Sequence, residues 1–158
     1  MEVEVRPYRD EDLSAMAAIW NRVVEDGMAF PQQDTVRLKE FFGSFSACSV
    51  AEMDGMIVGM YEIRPNNVGR CGHIANASYA VDPGVRGHGV GRALVGDSLI
   101  RAKELGFRIM QFNAVVKETA HARHLYEDLG VRLVGIIPGG FRAIDEVYHD
   151  ICVYYHAL

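Results

Sequence analysis

The 158-residue chain is poor in several things, and each shortage removes a class of function. No apolar run approaches the roughly 20 residues that a membrane-spanning helix needs, and the opening Met-Glu-Val-Glu-Val-Arg has no apolar region of the kind that a signal peptide carries. Cysteine is scarce: Cys48, Cys71 and Cys152 are odd in number, widely spaced and form no Cys-x-x-Cys pair, so they read as reduced thiols of a cytoplasmic protein rather than as a disulfide framework. Basic charge is short as well. Lys and Arg number 16 against 21 Asp and Glu, a formal net charge of −5, and no basic face offers itself to the phosphates of a nucleic acid. Of the six histidines, His121 and His124 stand three apart among alanines without a second ligand pair, a surface helix face rather than a metal site. There is no repeat, linker or low-complexity segment. What remains, 49% hydrophobic and 23% charged residues, is the balance of one globular domain spanning 1–158.

Against this background one stretch stands out, Val81-Asp82-Pro83-Gly84-Val85-Arg86-Gly87-His88-Gly89-Val90-Gly91-Arg92-Ala93-Leu94. A strand-like run stops at Asp-Pro-Gly, three alternate glycines follow, and a helical pattern begins at once. Glycines at 87, 89 and 91 remove the Cβ atoms that would keep a ligand off the backbone, so amide N–H groups can converge on a phosphate at the positive end of a helix. Arg86 and Arg92 add charge at the rims. A P-loop needs Lys-Ser or Lys-Thr where Arg92-Ala93 stands, and a dinucleotide fingerprint needs glycine in place of Arg92 and an acid at the end of the next strand, near Phe112-Asn113. Both fail. The plainer alternative is a glycine-rich turn that only joins strand to helix.

In chain order, alternation marks a first strand over 2–8, then Asp10, Glu11 and Asp12 offer an N-cap for a helix with Leu13, Met16, Ala17, Trp20, Val23 and Val24 on one face, closed by Gly27. Residues 28–31 form a loop, and a shorter helix runs from Thr35 towards Phe42. Strands at 49–53 and 57–64 meet at Asp54-Gly55, a hairpin signal. Residues 65–69 form a loop, and 73–81 form the strand before the glycine turn, with Asn76, Ser78 and Ala80 on one face. The helix from 90 to 105 buries Gly91, Leu94, Val95, Ser98, Ala102 and Leu105 and turns Arg92, Asp97, Arg101, Lys103 and Glu104 outward, with Gly106 as its C-cap. A right-handed crossover makes the strand at 108–112 parallel to the one before. A helix at 119–129 aligns Ala122, Leu125, Tyr126 and Leu129. Two last strands, 131–137 and 146–155, are separated by Pro138-Gly139-Gly140.

The sequence Arg86-Gly87-His88-Gly89-Val90-Gly91, preceded by Val81-Asp82-Pro83 and followed by an apolar helix, resembles the pyrophosphate turn of the GNAT superfamily of acyl-CoA-dependent N-acyltransferases. Ala122-Arg123-His124-Leu125-Tyr126 is similar to that family's Ala-x-x-Leu-Tyr helix. Segments 69–79, 112–116 and 137–142 resemble the branch with fungal acetyltransferases acting on azetidine-2-carboxylate and other proline-like imino acids. The resemblance implies an α/β (α+β) GNAT fold: a central mixed, mostly antiparallel sheet of about seven strands with a splayed parallel pair and about four helices. It implies acetyl-CoA as acyl donor, no metal, a small-molecule amine acceptor and a homodimer, for which Ile151, Val153, Tyr154 and Tyr155 of the last strand offer an apolar edge. Cofactor contacts fall on Tyr79, Ala80, Val81, Arg86, Gly87, His88, Gly89, Val90, Gly91, Arg92, Asn113 and Tyr126. Asn76 and Asn113 face the acceptor, and Asn21, Glu25 and Phe30 join them as candidate acceptor contacts. Thr119 departs from the pattern, since many members have an asparagine there.

Acetyl transfer to an amine needs a held thioester, a polarised carbonyl, a neutral nucleophile and a protonated leaving group. Backbone amides near Val81 would polarise the carbonyl, and Tyr126 would protonate the thiolate, although a tyrosine in that register is also an ordinary core residue. A free amine has a pKa of roughly 10, so a base must act or the pocket must select the neutral form. Many relatives carry a glutamate on the strand before the turn, and residues 73–81 contain no carboxylate. Asn76 and Asn113 would hold a proton-carrying water or orient the acceptor; His73 points to the opposite face. Arg64, Arg70 and Arg142 are candidates for clamping an acceptor carboxylate, or are simply solvated. The expected activity is therefore acetyl transfer to a small amino- or imino-acid-like amine. A protein lysine or N-terminal acetyltransferase, or a non-catalytic acyl-CoA sensor, are the alternatives.

Overall fold

The computed structural model describes residues 2–23 and 35–158. The expected acceptor contacts Glu25 and Phe30, the helix-closing Val24 and Gly27 and the loop at 28–31 lie outside the described residues. The described residues contain seven strands and four α-helices in two compact units, Met1–Arg64 with Ser78–Arg101, and Pro65–Ala77 with Ala102–Leu158. No described helix is long and apolar enough to cross a membrane.

In the first unit the strands lie in the order β1 (Glu4–Pro7), β2 (Ala47–Met53), β3 (Met56–Pro65) and the second half of β4 (Ile74–Val81). β1 pairs antiparallel with β2 from Glu4↔Glu52 to Pro7↔Ser49, and β2 with β3 from Ala47↔Ile63 to Met53↔Met56. The hairpin turns at Asp54 and Gly55, whose φ angles of 51° and 78° are both positive, as the two central residues of a type I′ turn require. α1 (Leu13–Val23) and α2 (Thr35–Gly43) cover one face. Leu13, Met16, Ala17, Ile19, Leu38 and Phe42 from the helices bury against Cys48, Val50, Met60 and Ala80 from the strands, each large side chain contributing about 1.5–3 kcal/mol. Ile19 joins this core and Val23 does not, being 39% exposed. α1 is entered through a single 3-10 turn at Asp10–Asp12. There the buried Asp12 accepts the Arg9 backbone N–H at 2.8 Å and the Arg6 guanidinium at 2.7 and 3.1 Å, which holds its carboxyl below the usual range.

α3 (Val90–Glu104) begins directly above β3. At Gly59 a Cβ would stand 2.9 Å from Leu94 Cδ1 and 3.1 Å from both Val90 Cγ1 and the Ala80 carbonyl oxygen, so only a glycine lets helix and strand approach this closely. Val90, Leu94, Val95, Ser98 and Ala102 are buried. Four expectations fail on this helix, two of them because Gly91, expected buried, and Arg101, expected in solvent, are both half-buried. Leu105 is 38% exposed, because the helix stops at Glu104 and the chain turns through Gly106 at φ 93°. Asp97, expected in solvent, is half-buried and accepts the Tyr61 hydroxyl at 2.6 Å.

The second unit carries the first half of β4, then β5 (Ile109–Val116), β7 (Tyr148–Ala157) and β6 (Arg132–Arg142) in that order, with α4 (Ala120–Asp128). β4 and β5 are parallel, Ile74↔Ile109 and Ala75↔Met110; β7 runs antiparallel to both β5 and β6. Two further corrections arise here. Pro138-Gly139-Gly140 does not end β6 but lies inside it, where the four steps from Ile137 to Phe141 match two on β7, from Ile151 to His149. An edge strand tolerates a proline because no ladder donor is lost, and Asp150 Oδ1 accepts the Gly139 N–H at 3.0 Å. The chain reverses instead at 143–147, with Glu146 at φ 65° and the Ala143 N–H donated to the Val147 carbonyl at 2.9 Å. Nor do Ile151, Val153, Tyr154 and Tyr155 form an edge, since β7 sits between β5 and β6 and both Ile151 and Tyr154 are buried. The outer strand is β6, where Leu133, Val134, Ile136 and Ile137 are exposed.

Candidate active site

The glycine turn belongs to the first unit. β4 ends at Val81, the Asp82 N–H donates to the Val58 carbonyl at 2.8 Å, and Asp82 Oδ1 accepts the Gly84 N–H at 2.9 Å, capping the short turn Pro83–Val85. Arg22 of α1 pairs with Asp82 at 3.1 Å. Gly87 and Gly89 then take φ angles of 85° and 76°, a backbone that side chains resist. A Cβ on either would meet nothing within 4 Å, so protein packing is not what excludes a side chain there. Ala93 N–H donates to the Gly89 carbonyl at 3.0 Å as the first turn of α3 closes. The amides of Val90, Gly91 and Arg92 precede that bond, and such first-turn N–H groups have no intrahelical acceptor, so they form the positive end that suits a phosphate. Arg86, His88 and Arg92 are exposed around it. On the incoming strand, the Tyr79 hydroxyl is tied to Ser98 Oγ at 2.6 Å, and Ala80 is buried.

The same unit holds a carboxylate that sequence reading missed. Glu62 on β3 is 1% exposed. Its Oε1 takes Arg64 Nη1, which also donates to Ser78 Oγ at 3.1 Å, while Oε2 has no hydrogen-bond partner. Burial raises its pKa from the ordinary carboxylate value, with Arg64 and Ser78 opposing. Directly across on β2 is Cys48, whose thiol is pushed up to about 12 by burial and secondarily by Glu62. β4 indeed lacks a carboxylate, but its neighbour β3 supplies one. The signal was an acid within the otherwise apolar Val58-Gly59-Met60-Tyr61-Glu62-Ile63. Arg64, expected as a carboxylate clamp, is engaged by Glu62 and Ser78; Arg70 and Arg142 are exposed. Asn21 lies half-buried on α1.

In the second unit the structure brings Asn76 and Asn113 together through Asn66, a residue of the loop expected at 65–69. Asn66 Oδ1 accepts Asn113 Nδ2 at 2.6 Å and Asn76 Nδ2 at 3.4 Å, and the Asn66 N–H is pinned to the Ile74 carbonyl at 2.8 Å. Asn76 Oδ1 accepts the Ala77 N–H at 2.8 Å, and Asn113 Oδ1 accepts Gln111 Nε2 at 3.0 Å. Asn76 is buried and Asn113 exposed. No spacing rule points to Asn66, because its role depends on the loop folding back onto β4.

Tyr126 of α4 is packed between Phe112, with ring centroids 4.7 Å apart, and Tyr154, 5.8 Å away. Burial, then the Tyr154 phenol, pushes its pKa up to about 12, so the hydroxyl keeps its proton at neutral pH. Tyr154 OH accepts Arg123 Nε at 2.9 Å and donates to Glu127 at 3.2 Å. The Thr119 hydroxyl, at the start of α4, donates to the Val116 carbonyl. His121 and His124 are exposed, and no group of three metal-ligating side chains occurs among the described residues.

The acetyltransferase (GNAT) family model matches residues 13–131. The chain is 30% identical to the N-acetyltransferase aca1 of Schizosaccharomyces pombe, over 94% of this chain and 81% of that protein. Among solved structures, a GCN5-related N-acetyltransferase from Kribbella flavida is 32% identical with a TM-score of 0.84, covering 99% of this chain and 98% of that one. A phosphinothricin acetyltransferase from Sinorhizobium meliloti, solved in complex with AcCoA, shares the fold at a TM-score of 0.85 and 20% identity, over 100% of this chain and 89% of that one.

Proposed function

The chain belongs to the acetyltransferase (GNAT) family, and from that premise we propose that it moves an acetyl group from acetyl-CoA to the amine of a small, amino- or imino-acid-like acceptor by direct attack on the thioester. The observation that carries this reading is the turn at 86–92, where two positive-φ glycines leave open space in front of the first-turn amides of α3 and so suit a pyrophosphate. The Sinorhizobium meliloti relative in complex with AcCoA supports the choice of donor. Coenzyme A supplies an activated acyl group and a good leaving thiolate; everything else falls to this chain. Arg86, Gly87, His88, Gly89, Val90, Gly91 and Arg92 hold the phosphates. Backbone amides at Tyr79, Ala80 and Val81 direct the thioester and polarise its carbonyl. Asn76 and Asn113, held in register by Asn66, orient the acceptor. Tyr126, protonated and held by Phe112 and Tyr154, gives its proton to the departing sulfur.

The chain acts as one acyltransferase domain, a reading supported by the 99% and 98% coverage of the Kribbella flavida structure. It works in the cytoplasm, in keeping with three free thiols, and as a homodimer joined through the exposed apolar side chains of β6. The deciding experiment is thiol release from acetyl-CoA against a panel of amines, amino acids and imino acids. Release that depends on a small amine supports the proposal. Release only with peptide acceptors moves the substrate to proteins, and tight acetyl-CoA binding without release in any mixture makes the chain a sensor.

A further inference from the structure

We propose that Glu62 accepts the proton that the acceptor ammonium must lose before it can attack, with Arg64 and Ser78 as positioning residues. The proposal rests on the acetyl transfer described above. A carboxylate oxygen buried without a hydrogen bond is costly, yet Glu62 Oε2 is held in that state while Oε1 is fixed by Arg64. Arg64 Nη1 is in turn bonded to Ser78 on β4. Ser78 directly precedes Tyr79, Ala80 and Val81, the backbone assigned to the thioester, and a strand advances only about 3.3 Å per residue. The carboxylate is thus tied through its other oxygen, by way of Arg64, to Ser78, the residue next to the stretch assigned to the thioester. A protonated amine is the one cation that the reaction brings in, and an unpaired oxygen in dry surroundings both attracts it and gains by taking its proton.

The balance is simple. One ammonium proton passes to Glu62 and from there to solvent. The neutral nitrogen forms its bond to the acetyl carbon as the carbon–sulfur bond breaks. The second nitrogen proton leaves as the amide forms, and the thiolate is protonated through Tyr126, so the sum is amide, free thiol and one released proton.

The groups that face Glu62 are Arg64 on its own strand, Ser78 on β4 and Cys48 on β2. Cys48 stays a neutral thiol through neutral pH. Burial raises the Glu62 pKa from its ordinary value, with Arg64 opposing the rise, and an acid limb of kcat/KM reports its titration.

The test uses the purified full chain, acetyl-CoA, and two classes of amine that wild type acetylates in the thiol-release panel: strongly basic amines, and weakly basic ones such as hydroxylamine, largely uncharged at neutral pH. Glu62→Gln is expected to lower kcat/KM for the basic amine by about 100-fold at pH 7, to recover as pH rises and the neutral amine accumulates, and to change little with hydroxylamine. Its acetyl-CoA affinity by calorimetry should match wild type. Arg64→Gln removes the cation that lowers the Glu62 pKa, so the acid limb should move to higher pH. This second readout stands even if Glu62→Gln fails to fold. Basic-amine turnover within threefold of wild type in Glu62→Gln, an equal loss with both amine classes, or an unmoved limb in Arg64→Gln would overturn the role of Glu62 alone. Absence of thiol release by wild type with every amine overturns acetyl transfer itself, and this proposal with it.

Discussion

Replacing Tyr126 by phenylalanine removes one oxygen and leaves the ring where Phe112 and Tyr154 hold it. The structure sets the size of the expected effect. With its pKa pushed up to about 12, the hydroxyl is too weak an acid to give up its proton before the carbon–sulfur bond is largely broken. Its contribution is therefore that of a hydrogen bond to a developing thiolate, about 1.5–3 kcal/mol, or roughly a 10- to 150-fold fall in kcat. That charge does not exist in the ground state, so the KM for acetyl-CoA should stay within about twofold. Stability should also change by less than about 1 kcal/mol, because ring packing is retained. The assay is steady-state thiol release with acetyl-CoA varied at saturating acceptor, alongside thermal melting. A group titrating near 12 also leaves kcat without a break of its own between pH 8 and 10. A kcat within twofold of wild type in a folded Tyr126→Phe protein would refute the reasoning, making water the proton source and Tyr126 a packing residue.

Gly89→Val forces a β-branched residue to a φ of 76° and fills the open space before α3; calorimetry should show acetyl-CoA affinity reduced at least about 10-fold in a folded protein, and unchanged affinity would remove the turn from the binding site. Asn76→Ala and Asn113→Ala should each cut kcat/KM for the acceptor by about 5- to 100-fold, the worth of one or two hydrogen bonds, with acetyl-CoA affinity intact, and the reverse pattern would reassign both. A dimer through β6 should sediment as such at micromolar concentration and become monomeric when Val134 and Ile136 are both changed to Lys; a wild-type monomer at that concentration rules it out. Cys48 keeps its proton to about 12 in the folded chain, from an ordinary value of 9.0, whereas the unfolded chain releases it above about pH 9. Stability intact below pH 9 should therefore decline as pH rises from 9 towards 12, by at most about 4 kcal/mol. Urea unfolding of Cys48→Ala should show a shallower decline, and an identical slope would dismiss the thiol as its cause.

The parts of the fold legible in the sequence are those where the backbone itself makes demands. Asp54-Gly55 announces a hairpin because both residues need positive φ, and Gly87 and Gly89 announce an open turn for the same reason. What the sequence hid are consequences of tertiary placement. Pro138-Gly139-Gly140 reads as a chain reversal, yet on an outer strand a proline costs no ladder bond and the two surplus residues are absorbed in place. Glu62 sits in an apolar run where a charged residue is easily assigned to the solvent face, and only the packing around β2, β3 and β4 shows it buried. Asn66 looks like any loop asparagine until its carbonyl is found receiving the amides of both Asn76 and Asn113. Of the candidate site, the side chains proposed from a motif are visible in the sequence, and the hydrogen bonds that tie them to Asn66 are visible only in the fold.

Gly59 extends that lesson to a residue with no side chain. With a Cβ there only 2.9 Å from Leu94 and 3.1 Å from Val90, the first two turns of α3 rest on bare β3 backbone, and the height of the helix above the strand is set by a single missing methyl group. The amides of Val90, Gly91 and Arg92 ride on that helix, so lifting it by a few tenths of an ångström re-aims every donor in the turn at once. Position 59 is in effect a spacer that calibrates the whole donor array. Because misplacement by about 1 Å can cost 100-fold in rate, the tolerance of the proposed anion site is set from beneath the helix, by an atom that is not there.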